Sequence, residues 1–206
     1  MPRIGSIILA AGGSTRMGKP KQLLDLRGSA LVCNAVRAAQ EGGCDAVCVV
    51  TGHAREGVES ALAGLRPQIV HNEHWQRGMG SSIRLGVSAI QPASAVILLT
   101  CDQPAVDSTV IRSLIERYEQ SGRSIVASYY ADTLGVPALF DQSCFAELHQ
   151  LPDDRGAKSV IHADSMRVAF HDFPAGALDL DSPQDLCAWH NAAHTHPHER
   201  AAAISH

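Results

Sequence analysis

Between Leu9 and Leu24 the chain reads "LAAGGSTRMGKPKQLL", an apolar run that opens into glycines, hydroxyls and cations before apolar residues resume. Gly12, Gly13 and Gly18 allow backbone N–H groups to approach a ligand closely, Ser14 and Thr15 add hydroxyl donors, and Arg16, Lys19 and Lys21 supply positive charge. A plain turn needs one or two of those features. All of them in one loop point to a bound phosphate. The spacing fits neither GxxxxGK[ST] nor GxGxxG, so neither a P-loop kinase nor a nicotinamide dehydrogenase follows. Farther on, "TCDQP" sets Asp102 directly after a run of apolar residues. A carboxylate there could hold magnesium, which takes oxygen ligands and bridges to phosphates, or could simply cap the next segment. "DLDSPQD" places Asp179 and Asp181 two apart, on one face if extended. In "NEHWQRGMGSSI", Gly78 and Gly80 flank Met79 beside a helix start, which suits close backbone contact with a flat ring or an anion. Trp75 reads as a packing residue.

These residues need a scaffold, and the chain alternates strand-length apolar runs with segments of helical spacing. Strands are expected at "IGSIILA" (Ile4–Ala10), "AVCVVTG", "QIVHN", "SAVILLTCD", "SIVASYY", "VPALF" and "MRVAFHDF". Helices are expected at "LVCNAVRAAQEGG", stopped by its glycines, at "REGVESALAGL", and at "SSIRLGVSAI" with Ser81 or Ser82 as N-cap. Further helices are "DSTVIRSLIERYEQSG", the short "SCFAELHQL" and "GAKSVIHAD", and "SPQDLCAWHNAAH" with Ser182 as cap and Pro183 at its first position. Such alternation implies an α/β fold of three layers around a mostly parallel sheet. Ligands of these sheets bind beyond the carboxyl ends of the strands, so the loops after Ala10, Asn72 and Thr100 are candidate site loops. One domain is expected over 1–190, followed by a His-rich tail over 191–206 that is expected to be disordered.

Composition narrows the function classes. The 206 residues carry a net charge of −4 and no long basic run, which disfavours a nucleic-acid partner. No stretch approaches the roughly 18 apolar residues of a membrane span. The N-terminal apolar run is too short for a signal peptide and leads into the loop, so a cytoplasmic location is expected. Six cysteines, at 33, 44, 48, 101, 144 and 187, form no CxxC pair and read as reduced, mostly buried thiols.

Taken together, the motifs resemble a known family. "LAAGGSTRMGKPKQLL" is similar to the signature LAAGxSxRMGxxK of the MobA-like nucleotidyltransferases. "GMGSSI", "CDQP" and "DLDSPQDL", with "VVTGH" and "NEHW", resemble one branch of it, the molybdenum cofactor cytidylyltransferases. The resemblance spans Ile4 to about Leu186. It implies a Rossmann-like fold with a small mixed extension. It also implies a reaction in which CTP and molybdenum–molybdopterin give the cytosine dinucleotide cofactor and pyrophosphate. Arg16, Lys21 and Asp102 would be catalytic, and Asp102 and Asp181 would hold Mg2+, or Mn2+ in its place. The nucleotide would contact Leu9, Ala10, Ala11, Gly12, Gly13, Ser14, Lys21, Asn72, Gly78, Met79, Gly80, Ser81, Ser82 and Asp102. The acceptor would meet Gln103, Pro104, Gly135, Pro137, Asp154 and Gly156. Guanylyltransferases of the family generally begin LAGG, so the LAAG of Leu9–Gly12 favours CTP. Delivery to a molybdenum hydroxylase, or to its cofactor-insertion chaperone, is implied as well.

Two positions depart from the family pattern. Asp153 stands where GDxGA has glycine, and Val136 replaces a polar residue of G-[HN]-P. Both fall in the half that would meet the acceptor, which keeps two alternatives open. One is a nucleotidyltransferase acting on another phosphorylated acceptor, such as a sugar or isoprenoid-precursor phosphate; the other is a non-catalytic binding protein of the same fold. The residues themselves fit transfer. A cationic loop and separated carboxylates provide positioning and charge neutralisation, which dominate phosphate-transfer catalysis.

Overall fold

In the computed structural model, which describes residues 2–26 and 28–195, seven strands form one sheet in the order β3-β2-β1-β4-β6-β5-β7. These are β1 (Ile4–Ala10), β2 (Ala46–Thr51), β3 (Gln68–His71), β4 (Ala95–Thr100), β5 (Ile125–Tyr130), β6 (Thr133–Asp141) and β7 (Val168–Asp172). β1 lies parallel to both β2 and β4, with Ile7 opposite Cys48 on one side and Leu98 on the other. Strands buried on both faces are largely apolar, and the polar exceptions in β1 and β4 are Ser6 and the terminal Thr100.

Helices cover both faces. α1 (Leu31–Glu41), α2 (Arg55–Leu62) and α4 (Ser108–Ser121) bury Val36, Leu62, Ile111 and Leu114 against Ile8, Val49, Ile97 and Leu99. On the opposite face α3 (Met79–Ala89), α5 (Phe145–His149) and α6 (Lys158–Ile161) enclose Ile7, Val50, Leu98 and Phe140. The mostly parallel three-layer architecture expected from the sequence is present. α4 is capped as its sequence implies, with the Asp107 carboxylate accepting from the N–H groups of Thr109 and Val110 and Gly122 left-handed at its end.

Three local features differ from the sequence reading. β6 runs from Thr133, three residues before "VPALF", and is antiparallel to its neighbours. Its reversal comes from a two-residue turn, Ala131 and Asp132, with φ of 47° and 56°. Two left-handed residues match the twist of a hairpin, but Ala-Asp lacks the Asn-Gly signal that announces one. The N-cap of α3 is Gly78, not Ser81 or Ser82, and the helix begins at Met79. Gly78 has φ 129°, and a side chain there would strike the Asp153 carbonyl at 2.3 Å. α7 (Pro183–Thr195) extends past the expected boundary at 190, and the rest of the expected tail, 196–206, lies outside the described residues.

A third, smaller core ties the glycine loop to the end of the chain. Met17, Leu24, Leu26, Leu31 and Leu180 pack together, with Leu186 and Trp189 of α7 against them. Leu180 has no exposed surface. Leu180→Ala should therefore cost about 2–5 kcal/mol through the cavity it leaves. Calorimetric melting with unchanged far-ultraviolet circular dichroism at room temperature checks this.

Candidate active site

Because β1, β2 and β4 are parallel, their carboxyl ends share one edge of the sheet. β6, running the other way, brings its first residues, Thr133–Val136, to that same edge. The site forms there.

The loop after β1 is organised by a residue that its composition did not single out. Gln22 is 1% exposed, in the 3-10 turn Lys21–Leu23. Its Nε2 donates to the carbonyls of Ala10 at 3.1 Å and Gly12 at 2.7 Å, and its Oε1 accepts from Ser14 Oγ at 3.4 Å. Ser14 Oγ in turn accepts from the Lys21 N–H at 3.0 Å, and Ser14 itself is left-handed, with φ 50°. Holding the Ala10 and Gly12 carbonyls from behind orients the loop's peptides. Nothing in the local sequence marks Gln22 for this role; only its burial reveals it.

Three charged side chains then converge. Lys21 Nζ donates to Asp102 Oδ2 at 2.5 Å and to Asp181 Oδ1 at 2.8 Å. Arg16 Nη2 reaches the other oxygen of Asp181 at 2.7 Å. Lys21 and Asp102 are largely shielded, with side chains 18% and 16% exposed, so their attraction is little screened. Arg16 is 74% exposed, and its pair with Asp181 contributes far less to stability. Burial alone would lower the Lys21 pKa, but Asp102 and then Asp181 outweigh it and hold the ammonium well above its usual range. The hydrogen bond from Lys21 holds the Asp181 carboxyl below its usual value. Asp102 does not cap a helix; its backbone carbonyl accepts from the Leu180 N–H at 2.8 Å. That contact brings the 179–181 segment alongside β4. Leu180 turns into the small core while Asp181 turns to Lys21. Asp179 lines a neighbouring cavity, where burial, then Asp102 and Asp181, push its carboxyl up to about 6.

The opposite wall is built on Asn72, which is buried. Its Nδ2 donates to Ser81 Oγ at 2.8 Å and Ser82 Oγ at 2.9 Å, and its Oδ1 accepts from the His74 N–H. Ser81 therefore serves as an internal brace, donating onward to the Gly78 carbonyl. The start of α3 is also seated on the 152–155 turn: Gly80 N–H donates to the Asp153 carbonyl at 2.9 Å, and a Cβ on Gly80 would lie 2.0 Å from the Pro152 carbonyl oxygen. Trp75 packs as expected, edge-on to His53 and over Gly13, yet it also lines the cavity.

Two cavities meet at Asp102. One, of about 310 Å³, is lined by Leu9, Ala11, Gly12, Gly13, Lys21, Gln22, Trp75, Gly78, Met79, Ser82 and Asp102, among others. The second, of about 340 Å³, is lined by Gln103, Tyr130, Val136, Asp154, Gly156, Lys158 and Asp179 among others, and shares Met79, Thr100 and Asp102 with the first. Of the residues singled out from sequence, Ala10, Ser14, Arg16, Asn72, Gly80, Ser81 and Asp181 are outside the first cavity's lining. Pro104, Gly135 and Pro137 are outside the lining of the second. Gly135 leaves room for Tyr130 and Lys158, since a Cβ there would meet Tyr130 Oη at 2.3 Å and Lys158 Cε at 3.2 Å. The Gln103 amide is occupied internally, donating to the carbonyls of Val136 and Gly176. Asp153 lies in neither lining and pairs with Arg84, whereas Val136 faces the second cavity. Lys19 is exposed at the loop's tip.

The family model for the MobA-like NTP transferase domain matches residues 6–168. Over 131 residues the chain is 36% identical to nicotine blue oxidoreductase of Paenarthrobacter nicotinovorans, covering 63% of each protein. It thus spans less than two thirds of that curated relative. Among solved structures, Rv0371c of Mycobacterium tuberculosis aligns with a TM-score of 0.80 and 30% identity, over 91% of this chain and 96% of the other. A manganese complex of Rv0371c aligns at 0.74 and 28%, over 90% and 97%.

Replacing Gln22 by leucine keeps the volume but strands two carbonyls and the Ser14 hydroxyl. The expected cost is about 1–3 kcal/mol, with faster amide hydrogen exchange confined to residues 11–17. Unchanged exchange in that loop would remove Gln22 as its brace.

Proposed function

The chain belongs to the MobA-like NTP transferase domain family, and on that premise we propose that it moves a cytidylyl group from CTP to the phosphate of a molybdopterin cofactor, with Mg2+ or Mn2+ as the metal. The observation that carries this reading is the lysine-bridged pair Asp102 and Asp181, of which Asp102 stands where a cationic loop and two cavities meet. An oxygen of the acceptor phosphate attacks the α-phosphorus of CTP, the bond between the α-phosphorus and its bridging oxygen breaks, and pyrophosphate leaves. An acceptor phosphate is already ionised at neutral pH, so no general base is required.

The carboxylates suit a divalent cation. Asp102 Oδ1 is buried without a hydrogen-bond partner, a costly state for a carboxylate oxygen unless a cation satisfies it. Among the described residues no third His, Cys, Asp or Glu completes a cluster. Two carboxylates leave room for phosphate oxygens and water, as Mg2+ prefers. The manganese complex of Rv0371c supports the same choice. The metal, when bound, would neutralise charge on the transferring phosphate. The loop's N–H groups hold the triphosphate, Arg16 braces the leaving pyrophosphate with its forked donors, and Lys21 brings a point charge toward the α-phosphate. The base sits between Leu9–Gly12 and Gly78–Ser82, a placement that favours the smaller cytosine. Val136 favours a second reading, in which the acceptor is a different phosphate ester. Phosphate chemistry is also better supported than the redox activity named for the P. nicotinovorans relative, because bridged carboxylates beside a cationic loop match a triphosphate. The proposed setting is the cytoplasm, with delivery to a molybdenum hydroxylase or its chaperone. No described helix is long and apolar enough to cross a membrane.

Incubation with equal CTP and GTP, magnesium and each candidate acceptor, followed by mass analysis, tests the reaction. Cytidylylated molybdopterin and pyrophosphate are expected; predominantly guanylylated product, or transfer only to another acceptor, would replace the reading. Asp102→Asn and Asp181→Asn should each lower kcat by on the order of a hundredfold or more while the fold persists. Lys21→Ala should depress kcat strongly and Lys19→Ala hardly at all. Equal damage from both lysine variants would refute the roles given to the loop.

A further inference from the structure

In the resting site a protein cation stands between the two carboxylates. Lys21 Nζ is within 2.8 Å of an oxygen of each, and Arg16 takes the remaining oxygen of Asp181. A magnesium ion bridging the same carboxylates would sit about 2.0–2.1 Å from their oxygens. An ammonium and a divalent ion compete for that space, since of the four carboxylate oxygens only Asp102 Oδ1 lacks a hydrogen-bond partner and the two cations repel each other. Two cations already pair with these two carboxylates. Replacing Lys21 by a metal alone would leave its ammonium without an anion in a partly shielded cleft, a costly arrangement.

Resting on the reading that Asp102 and Asp181 are metal ligands, we propose that Lys21 is a resident cation which holds the metal position until a nucleoside triphosphate draws its ammonium away. The triphosphate supplies the anion that Lys21 needs on leaving the carboxylates, and the vacated oxygens, with the phosphates, then take the metal. Asp102 Oδ1, buried and unpaired beside Lys21, is poised to join that set. Metal and nucleotide therefore bind cooperatively, and each must raise the affinity for the other by the same factor. Lys21 has two successive partners in one cycle: the carboxylates at rest and the phosphates when loaded. Gln22 and Ser14 hold its backbone in place, so only the flexible side chain has to move.

The test uses the full chain and Mn2+ as the probe, with free Mn2+ read by electron paramagnetic resonance. Lys21→Met keeps most of the stem and removes the charge. Without nucleotide, wild type should bind Mn2+ weakly and Lys21→Met on the order of tenfold more tightly; Asp102→Asn in the Lys21→Met background should abolish that gain. Adding α,β-methylene-CTP should tighten Mn2+ binding to wild type and produce much less coupling in Lys21→Met. A thermal melt of Lys21→Met with and without Mn2+ gives a second readout, with a larger metal-induced rise in Tm than in wild type. If folded Lys21→Met binds Mn2+ no better than wild type, while the analogue still recruits Mn2+ to wild type through Asp102, the resident-cation proposal is overturned and the metal reading stands. If neither protein binds Mn2+ even with the analogue, the metal reading fails and takes this proposal with it.

Discussion

The ammonium of Lys21, shared by two carboxylates, is the contact on which the site depends. Lys21 lies 81 residues from Asp102 and 160 from Asp181 along the chain. Three segments with no local relation must therefore be brought within one hydrogen bond of a common atom. The parallel order of β1 and β4 aligns the first two, since both strands end at the same sheet edge. The third arrives because the Leu180 N–H pairs with the Asp102 carbonyl and the Leu180 side chain fills the small core beneath the loop. Like-charged Asp102 and Asp181 can lie this close only because a cation stands between them.

Around that contact, rigidity and mobility are separated. The loop is glycine-rich and its tip is exposed, yet its base is pinned by Gln22 and by Met17 and Leu24 in the small core. Its backbone can thus be preorganised for an anion independently of the Arg16 and Lys21 side chains, which bond Asp102 and Asp181. The far wall follows the same plan by a different device. Asn72 bonds both serines at the start of α3, and the closely docked Gly78 and Gly80 lock that turn to 152–155. On both walls, polar side chains such as Ser14, Gln22, Asn72 and Ser81 are spent on holding each other.

Much of this architecture was legible from residue order alone. Apolar runs of strand length placed β1, β2, β4 and β5 to within a residue or two, and the alternation with helices identified a mostly parallel sheet with helical layers. The loop chemistry at 12–21 and Asp102 stood out because their residue types are unusual after a buried strand, and Asp179 and Asp181 because they are paired acids just before a helix. Those are local properties: periodicity, capping and composition act over a few residues and leave a mark in any window that contains them.

Other features have no local mark. Ala131-Asp132 became a hairpin turn under the demands of the surrounding sheet, so the reversal of β6 was not readable. The start of α3 was misplaced because its cap is set by contact between Gly78 and Asp153, 75 residues later in the chain. Gln22 was passed over since nothing in its neighbourhood indicates burial, and Asp153 looked like a departure facing the acceptor until its carboxylate was found on Arg84. By itself the sequence determined the strands and helices, a mostly parallel sheet and the inventory of charges at its edge. Tertiary structure alone decided which charges meet and which polar groups are consumed as braces, because those outcomes depend on distances between segments that are remote in the chain.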